Sequence, residues 1–295
     1  MVLVVGATGL VGSVVCQKLV DRGETVRALV RTTSSKEKID SLRASGVDLS
    51  IGDLKDPASI AVACHGADAV ISTASSTLSH QPGDSIESVD STGQLNLVNA
   101  ARDAGVRRFV FVSFRRPAAL SFPLGEAKAQ VESAIQIFDY TIIQASWFME
   151  VWLSPALGFD YANGSARIYG AGTNPISWVS FRDVAEMCAL SLRHPAASRK
   201  TIEFGGPKPL SPLDVVARFE QLTGRTFTRE HIPEEALLAQ FEAAADPLQK
   251  SFAALILGYA RGDAMEMASV SNTFGARLST VDEYAHAVLG KSMTA

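Results

Sequence analysis

Three glycines, Gly6, Gly9 and Gly12, stand three apart between an apolar run, Val2 to Val5, and a stretch in which Leu10, Val11, Val14, Val15, Leu19 and Val20 recur at helical spacing. In a strand-to-helix turn such glycines suit an anion. The first permits a sharp turn, the second lets the backbone approach a pyrophosphate, and the third lets helix and strand close together. The helix N-terminus adds N–H donors and partial positive charge. A glycine-rich turn that binds nothing has the same letters, and it is the strand-then-helix context that favours a dinucleotide. Arg31 lies 19 residues past Gly12, where an NAD-binding chain usually places a carboxylate for the ribose 2′-hydroxyl. Instead Arg31, Thr32, Thr33, Ser34, Ser35 and Lys36 offer cations and hydroxyls, a set suited to a 2′-phosphate. NADP(H) is therefore expected over NAD(H), the alternative being an exposed loop with incidental charge. Asp53 and the pair Ala74–Ser75 follow the third and fourth apolar runs, at strand ends where open α/β sheets bind ligands. Ala74 is expected at the ribose and pyrophosphate; Asp53 either faces the adenine or caps the next helix.

These residues need a wound scaffold. Strands are expected at Val2–Val5, Thr25–Val30, Val47–Ile51, Ala69–Thr73, Arg108–Ser113 and Tyr140–Gln144, alternating with helices over 10–22, 36–44, 57–65, 86–104 and 125–138. That alternation means a parallel sheet covered on both faces, an α/β fold of the Rossmann type. Beyond about Ser146 the rhythm breaks into shorter elements: a helical stretch at 147–157, strands at 176–180 and 202–204, and helices at 181–193, 211–223 and after Pro233 and Pro247. The expected organisation is a binding domain over 1–150, to which the strands at 176–180 and 202–204 return, and a smaller α+β substrate region over 151–295.

Composition narrows the function classes. The 295 residues are 47% hydrophobic and 20% charged, with a formal charge of −4, which fits a globular chain and disfavours direct nucleic-acid binding. Cys16, Cys64 and Cys188 form no C-x-x-C pair, and His65, His80, His194, His231 and His286 show no paired spacing, so neither a disulfide framework nor a metal site is expected. The longest late apolar run, Phe252 to Ala260, is too short to span a bilayer, and the N-terminal run lacks a positive flank and is broken by glycines. A cytoplasmic protein is expected. Phe114, Trp147, Phe148, Met149, Trp152 and Tyr169 either line an apolar cleft or belong to the core. Arg115 and Arg116 read as surface residues, and Lys128, in GEAKAQVE, reads by itself as an exposed helical lysine.

GATGLVG at 6–12, LVR at 29–31, GDL at 52–54, VDSTGQLNLVNAARDAGVRRFVFVSF at 89–114, WFME at 147–150, SFRDVAE at 180–186 and the tail from Gly258 to Leu289 together resemble the NmrA-like branch of the atypical short-chain dehydrogenases. That group includes isoflavone-type, quinone and triphenylmethane-dye reductases and redox-sensing regulators. The resemblance implies that Gly6, Thr8, Gly9, Leu10, Val11 and Gly12 touch the pyrophosphate, Arg31 the 2′-phosphate, and Ala74 and Ser75 the nicotinamide-side ribose or phosphate. It places Ser113 beneath the nicotinamide and Lys128 against its ribose, where a lysine orients the cofactor and in some members transfers protons. Ordinary short-chain dehydrogenases carry Tyr-x-x-x-Lys, but the residue four before Lys128 here is Leu124. Chemistry that needs a placed hydroxyl acid is thereby disfavoured, a loss worth ~10²–10⁴ in rate. The expected activity is NADPH-dependent hydride transfer to a flat apolar small molecule (quinone, enone or dye) in a cleft between the two regions, by a monomer or homodimer. The alternative is a non-catalytic NADP(H) sensor that acts on a protein partner.

Overall fold

The computed structural model describes residues 1–79, 81–117 and 119–290. His80 lies outside the described residues. The strands are β1 (Val2–Val5), β2 (Val26–Val30), β3 (Asp48–Ile51), β4 (Ala69–Ser72), β5 (Arg108–Phe114), β6 (Asp139–Ala145), β7 (Phe159–Asp160), β8 (Ser165–Tyr169), β9 (Lys200–Phe204) and β10 (Thr228–Ile232). The helices are α1 (Leu10–Asp21), α2 (Lys36–Ala44), α3 (Pro57–Cys64), α4 (Thr92–Asp103), α5 (Pro123–Ala134), α6 (Met149–Trp152), α7 (Phe181–Ser191), α8 (Pro212–Thr223), α9 (Glu234–Ala243), α10 (Pro247–Arg261), α11 (Ala268–Phe274) and α12 (Val281–Val288).

Seven strands form one sheet in the order β3-β2-β1-β4-β5-β6-β9, and the pairs β1/β2, β2/β3, β1/β4 and β4/β5 all run parallel. Burial follows position. Central β1 (VLVV) and β4 (AVIS) are buried at every residue, because helices cover both faces, whereas edge strand β3 (DLSI) carries exposed Asp48 and Ile51. After β3 the chain crosses back to lay β4 on the other side of β1, so the strand order reverses between them. Such a switch point opens a crevice at the strands' carboxyl ends.

The chain divides into two compact units. The first comprises Met1–Phe114, Pro123–Gln144 and Val184–Ile202; the second comprises Arg115–Phe122, Ala145–Asp183 and Glu203–Ala295. The first unit's core runs through Leu3, Val5, Val70, Leu97, Phe109, Phe111 and Val131. The second holds a three-stranded sheet, β10-β8-β7, and an aromatic core around Phe159, Trp178, Phe219, Phe227 and Tyr259. β9 joins the large sheet. Residues 176–180 contribute no regular strand; Ile176 and Val179 make isolated bridges to Leu210, Asp263 and Phe148 within the second unit.

Two expected helices differ. The stretch over 86–104 begins as a π-helical turn, Ile86–Ser91, before α4. Ser85 and Ser88 cap it reciprocally, and Asp90 sits inside it, fully buried. The expected helix over 147–157 shrinks to α6 and a single 3-10 turn at Pro155–Leu157, because Pro155 cannot continue the backbone ladder. No described helix is long and apolar enough to cross a membrane.

Candidate functional site

A pocket of about 400 Å³ opens at the switch point, entirely within the first unit. Its floor is the β1–α1 turn. Gly6 has φ +83°, and a Cβ there would lie 2.8 Å from the Ala74 backbone nitrogen, so only glycine lets this turn press against the end of β4. At Gly12 a Cβ would fall 2.2 Å from the Gly6 carbonyl oxygen. Gly9 is the N-cap of α1 and brings no side-chain acceptor to the helix's first amides, which suits an anion at that end. The turn therefore fits a dinucleotide pyrophosphate by its own geometry.

Gly6, Thr8, Gly9, Arg31, Asp53, Ala74 and Ser75 all line the pocket. Leu10, Val11 and Gly12 form the first turn of α1 beside it; Val11 and Gly12 are buried and Leu10 is 45% exposed. Asp53 is not the cap of α3. That role falls to Asp56, which accepts from the Ala58 amide at 3.1 Å, while Asp53 accepts from the Lys55 amide at 2.9 Å. Thr33, Ser34, Ser35 and Lys38 complete the wall around Arg31, and Lys38 donates to the Thr8 carbonyl at 2.9 Å.

Arg31 is already engaged. Its Nη1 donates to Asp84 Oδ2 at 2.6 Å, and the same carboxylate accepts from Ser79 Oγ and Lys55 Nζ, each at 2.5 Å. Burial would raise the Asp84 pKa, but the hydrogen bonds from Lys55, Ser79 and Arg31 outweigh it and hold the carboxyl below its ordinary range. Sequence reasoning missed Asp84, Lys55 and Lys38. Their spacing carries no motif, and only the fold brings Ser79 and the turn from Gln81 to Asp84 to Arg31 at the end of β2.

Lys128 is not the exposed helical lysine its flanks suggest. Its side chain is 5% exposed, with Nζ 3.4 Å from Asp90 Oδ1 and 4.8 Å from the centroid of the Phe111 ring. Asp90 Oδ2 accepts from the amide and hydroxyl of Ser76 at 2.9 and 2.6 Å, whereas Oδ1 has no hydrogen bond and depends on the ammonium for compensation. Ser113 is buried one strand-end away, donating to Glu132 Oε1 at 2.6 Å, and Gln144 Nε2 donates to the same oxygen at 3.0 Å. Gln94 links Ser72 to the Ala74 carbonyl and so fixes the end of β4. Leu124, four residues before Lys128, is buried.

Among the expected aromatics, Trp147 and Met149 are buried in the second unit's core, and Trp152 packs against that core, stacking on Tyr259 at 5.4 Å. Tyr169 belongs to the same core, where its ring meets Tyr259 edge-on. Phe114 and Phe148 are half-buried. Arg115 is bound within the second unit, donating to Asp263 at 3.0 Å.

The sequence profile of the NmrA-like family matches residues 1–285. The chain belongs to the NmrA-like family. A photosystem II assembly factor, Ycf39, of Synechocystis sp. is 32% identical over 241 residues, 80% of this chain and 72% of that one. An isoflavone reductase homolog, IRL, of Zea mays is 30% identical over 310 residues, 96% of each chain. Among solved structures, the NADPH complex of the Escherichia coli quinone oxidoreductase QOR2 superposes with a TM-score of 0.78 at 21% identity, covering 98% of this chain and 100% of that one. The NADP(H) complex of triphenylmethane reductase from Citrobacter sp. gives 0.78 at 20% identity, covering 97% and 99%.

Proposed function

We propose that this NmrA-like chain is an NADPH-dependent reductase that passes hydride to a flat, mostly apolar acceptor of the quinone, enone or dye class. The observation that carries the reading is the pocket at the switch point, which is lined by the glycine backbone of the β1–α1 turn together with Arg31, Thr33, Ser34, Ser35 and Lys38. That combination of a pyrophosphate cradle and a cationic, hydroxyl-rich wall suits a dinucleotide bearing a 2′-phosphate. The named activities of the quinone oxidoreductase, the triphenylmethane reductase and an NAD(P)H azoreductase of Xenophilus azovorans, 29% identical over 230 residues, support the same class.

When bound, the nicotinamide supplies the hydride. The chain's own part is positioning and charge. Gly6, Thr8 and Gly9 would cradle the pyrophosphate, Arg31 would meet the 2′-phosphate, and Ala74 and Ser75 would hold the nicotinamide-side ribose or phosphate. Lys128, buried against Asp90, would orient the nicotinamide-side ribose. Ser113, tied to Glu132, closes the end of β5. With Leu124 in the place of a tyrosine, no hydroxyl acid stands one turn before Lys128, which favours acceptors whose charge is delocalised after hydride addition and which take their proton from water.

A second reading, a non-catalytic NADP(H) sensor acting on a protein partner, is favoured by one observation, the likeness to a photosystem II assembly factor. The two separate in one experiment. Titration of purified protein with NADPH, followed by a panel of quinones, enones and triphenylmethane dyes, is expected to give binding and acceptor-dependent oxidation, with Arg31→Ala weakening NADPH more than NADH. Binding without oxidation by any acceptor moves the reading to the sensor, and absence of binding overturns both.

A further inference from the structure

Asp84 is a heavily engaged acid of the first unit. Its side chain is 3% exposed, it lines the same pocket as Arg31, and one carboxylate takes three donors, Arg31, Lys55 and Ser79, at 2.5–2.6 Å. Lys55 also approaches Asp53 at 3.7 Å. Arg31 and Lys55 are thus offset by the carboxylates of Asp84 and Asp53, so Arg31 meets an incoming 2′-phosphate with its charge already compensated. The remaining basic group on this wall, Lys38, is engaged with the Thr8 carbonyl.

We propose that Asp84 is a built-in occupant of the 2′-phosphate subsite and determines how strongly the pocket prefers a 2′-phosphorylated dinucleotide over its 2′-hydroxyl counterpart. The inference rests on the dinucleotide reading given above. A guanidinium recognises phosphate through two parallel N–H bonds. Arg31 Nη1 is held by Asp84, so an incoming phosphate has to replace the carboxylate there or bind beside it against like charge. A ribose 2′-hydroxyl meets no such barrier; it is neutral and can donate to the carboxylate as it stands. Exchange of carboxylate for phosphate also unties Ser79 and the turn from Gln81 to Asp84 from the end of β2, so the 2′-phosphate carries the work of opening that turn while NADH does not.

The test is calorimetric titration of the full chain and its Asp84→Asn variant with four probes: NADPH, NADH, adenosine 2′,5′-bisphosphate and ADP. Asparagine keeps the shape and an acceptor oxygen and removes the charge. The expected result is tightening of NADPH and adenosine 2′,5′-bisphosphate by about 10-fold or more, with NADH and ADP changed by less than about 3-fold. Ser79→Ala, which removes one of the three donors holding Asp84 and leaves every charge in place, is expected to act in the same direction by about 2–3-fold. It keeps the question answerable should Asp84→Asn fold poorly. Equal shifts for the phosphorylated and hydroxyl probes, or none in either variant, overturn the proposal while NADPH binding by the parent leaves the cofactor reading standing. Failure of parent and variants alike to bind any dinucleotide overturns that reading and this proposal together.

Discussion

Substituting Lys128 by methionine tests whether its charge is structural, functional or both. The ammonium lies 3.4 Å from Asp90 Oδ1 in a site where the two side chains are 5% and 0% exposed. Methionine retains the packing on Phe111 and removes the charge, leaving Oδ1 with neither water nor a cation. Removing one partner of such a pair costs about 3–5 kcal/mol. Unfolding entropy near the midpoint is ~2.1 cal/mol/K per residue, or ~0.6 kcal/mol/K for 295 residues, so Lys128→Met should melt about 5–8 °C below the parent. Asp90→Asn alone should lose a comparable amount by burying an uncompensated ammonium. The double variant, in which asparagine still accepts from Ser76, should return to within about 1–2 kcal/mol of the parent. Circular-dichroism melts at neutral pH measure the cycle, and NADPH oxidation on the same samples separates stability from function. Single variants within about 2 °C of the parent, with additive effects in the double, would refute the claim that the pair is mutually dependent. A stable Lys128→Met protein that binds and oxidises NADPH like its parent would remove Lys128 from the site.

Three further outcomes are expected. Gly12→Ala places a methyl 2.2 Å from the Gly6 carbonyl oxygen, backbone against backbone, so it should cost at least about 1–3 kcal/mol and weaken NADPH by ~10-fold or more; Gly66→Ala, where φ is +71° but nothing lies within 4 Å, should lose stability alone. Burial pushes the Asp263 carboxyl up to about 6 against the pull of Arg115 and Ser146, above its unfolded value of 3.8. The native state therefore binds that proton more tightly, this group's penalty on stability grows as pH rises from 3.8 through 6, and Asp263→Asn should flatten that part of the urea-midpoint profile; an unchanged slope in the variant would count against it. All three cysteines are buried, with burial raising the thiols of Cys16 to about 12, Cys64 to about 11 and Cys188 further still, so a thiol reagent at neutral pH should label none of them in the native protein and all three in denaturant.

The wound half of the molecule was legible because its signals are local. Apolar runs of four to seven residues at β1, β2, β4, β5 and β6, glycines at the helix ends and the triplet at 6, 9 and 12 each state a backbone conformation without reference to distant residues. The same holds for Arg31, whose place at the end of β2 follows from counting. From sequence alone, then, came the parallel sheet, the phosphate turn and, among the residues lining the pocket, Gly6, Thr8, Gly9, Arg31, Asp53, Ala74 and Ser75.

What the folded chain decided are contacts between residues far apart in number, each made by side chains with no motif of their own. Lys128 reads as solvent-facing until α5 packs against the π-helical turn and buries it on Asp90. Asp84 and Lys55 carry no motif, and only the folded chain brings both to one place beside Arg31. Trp147 and Met149 read either as cleft lining or as core, and in the fold the second unit's aromatic core takes them up. Periodicity specifies which face of an element is apolar; which polar groups meet behind that face depends on how the elements pack, and a buried charge can be placed only once its partner is.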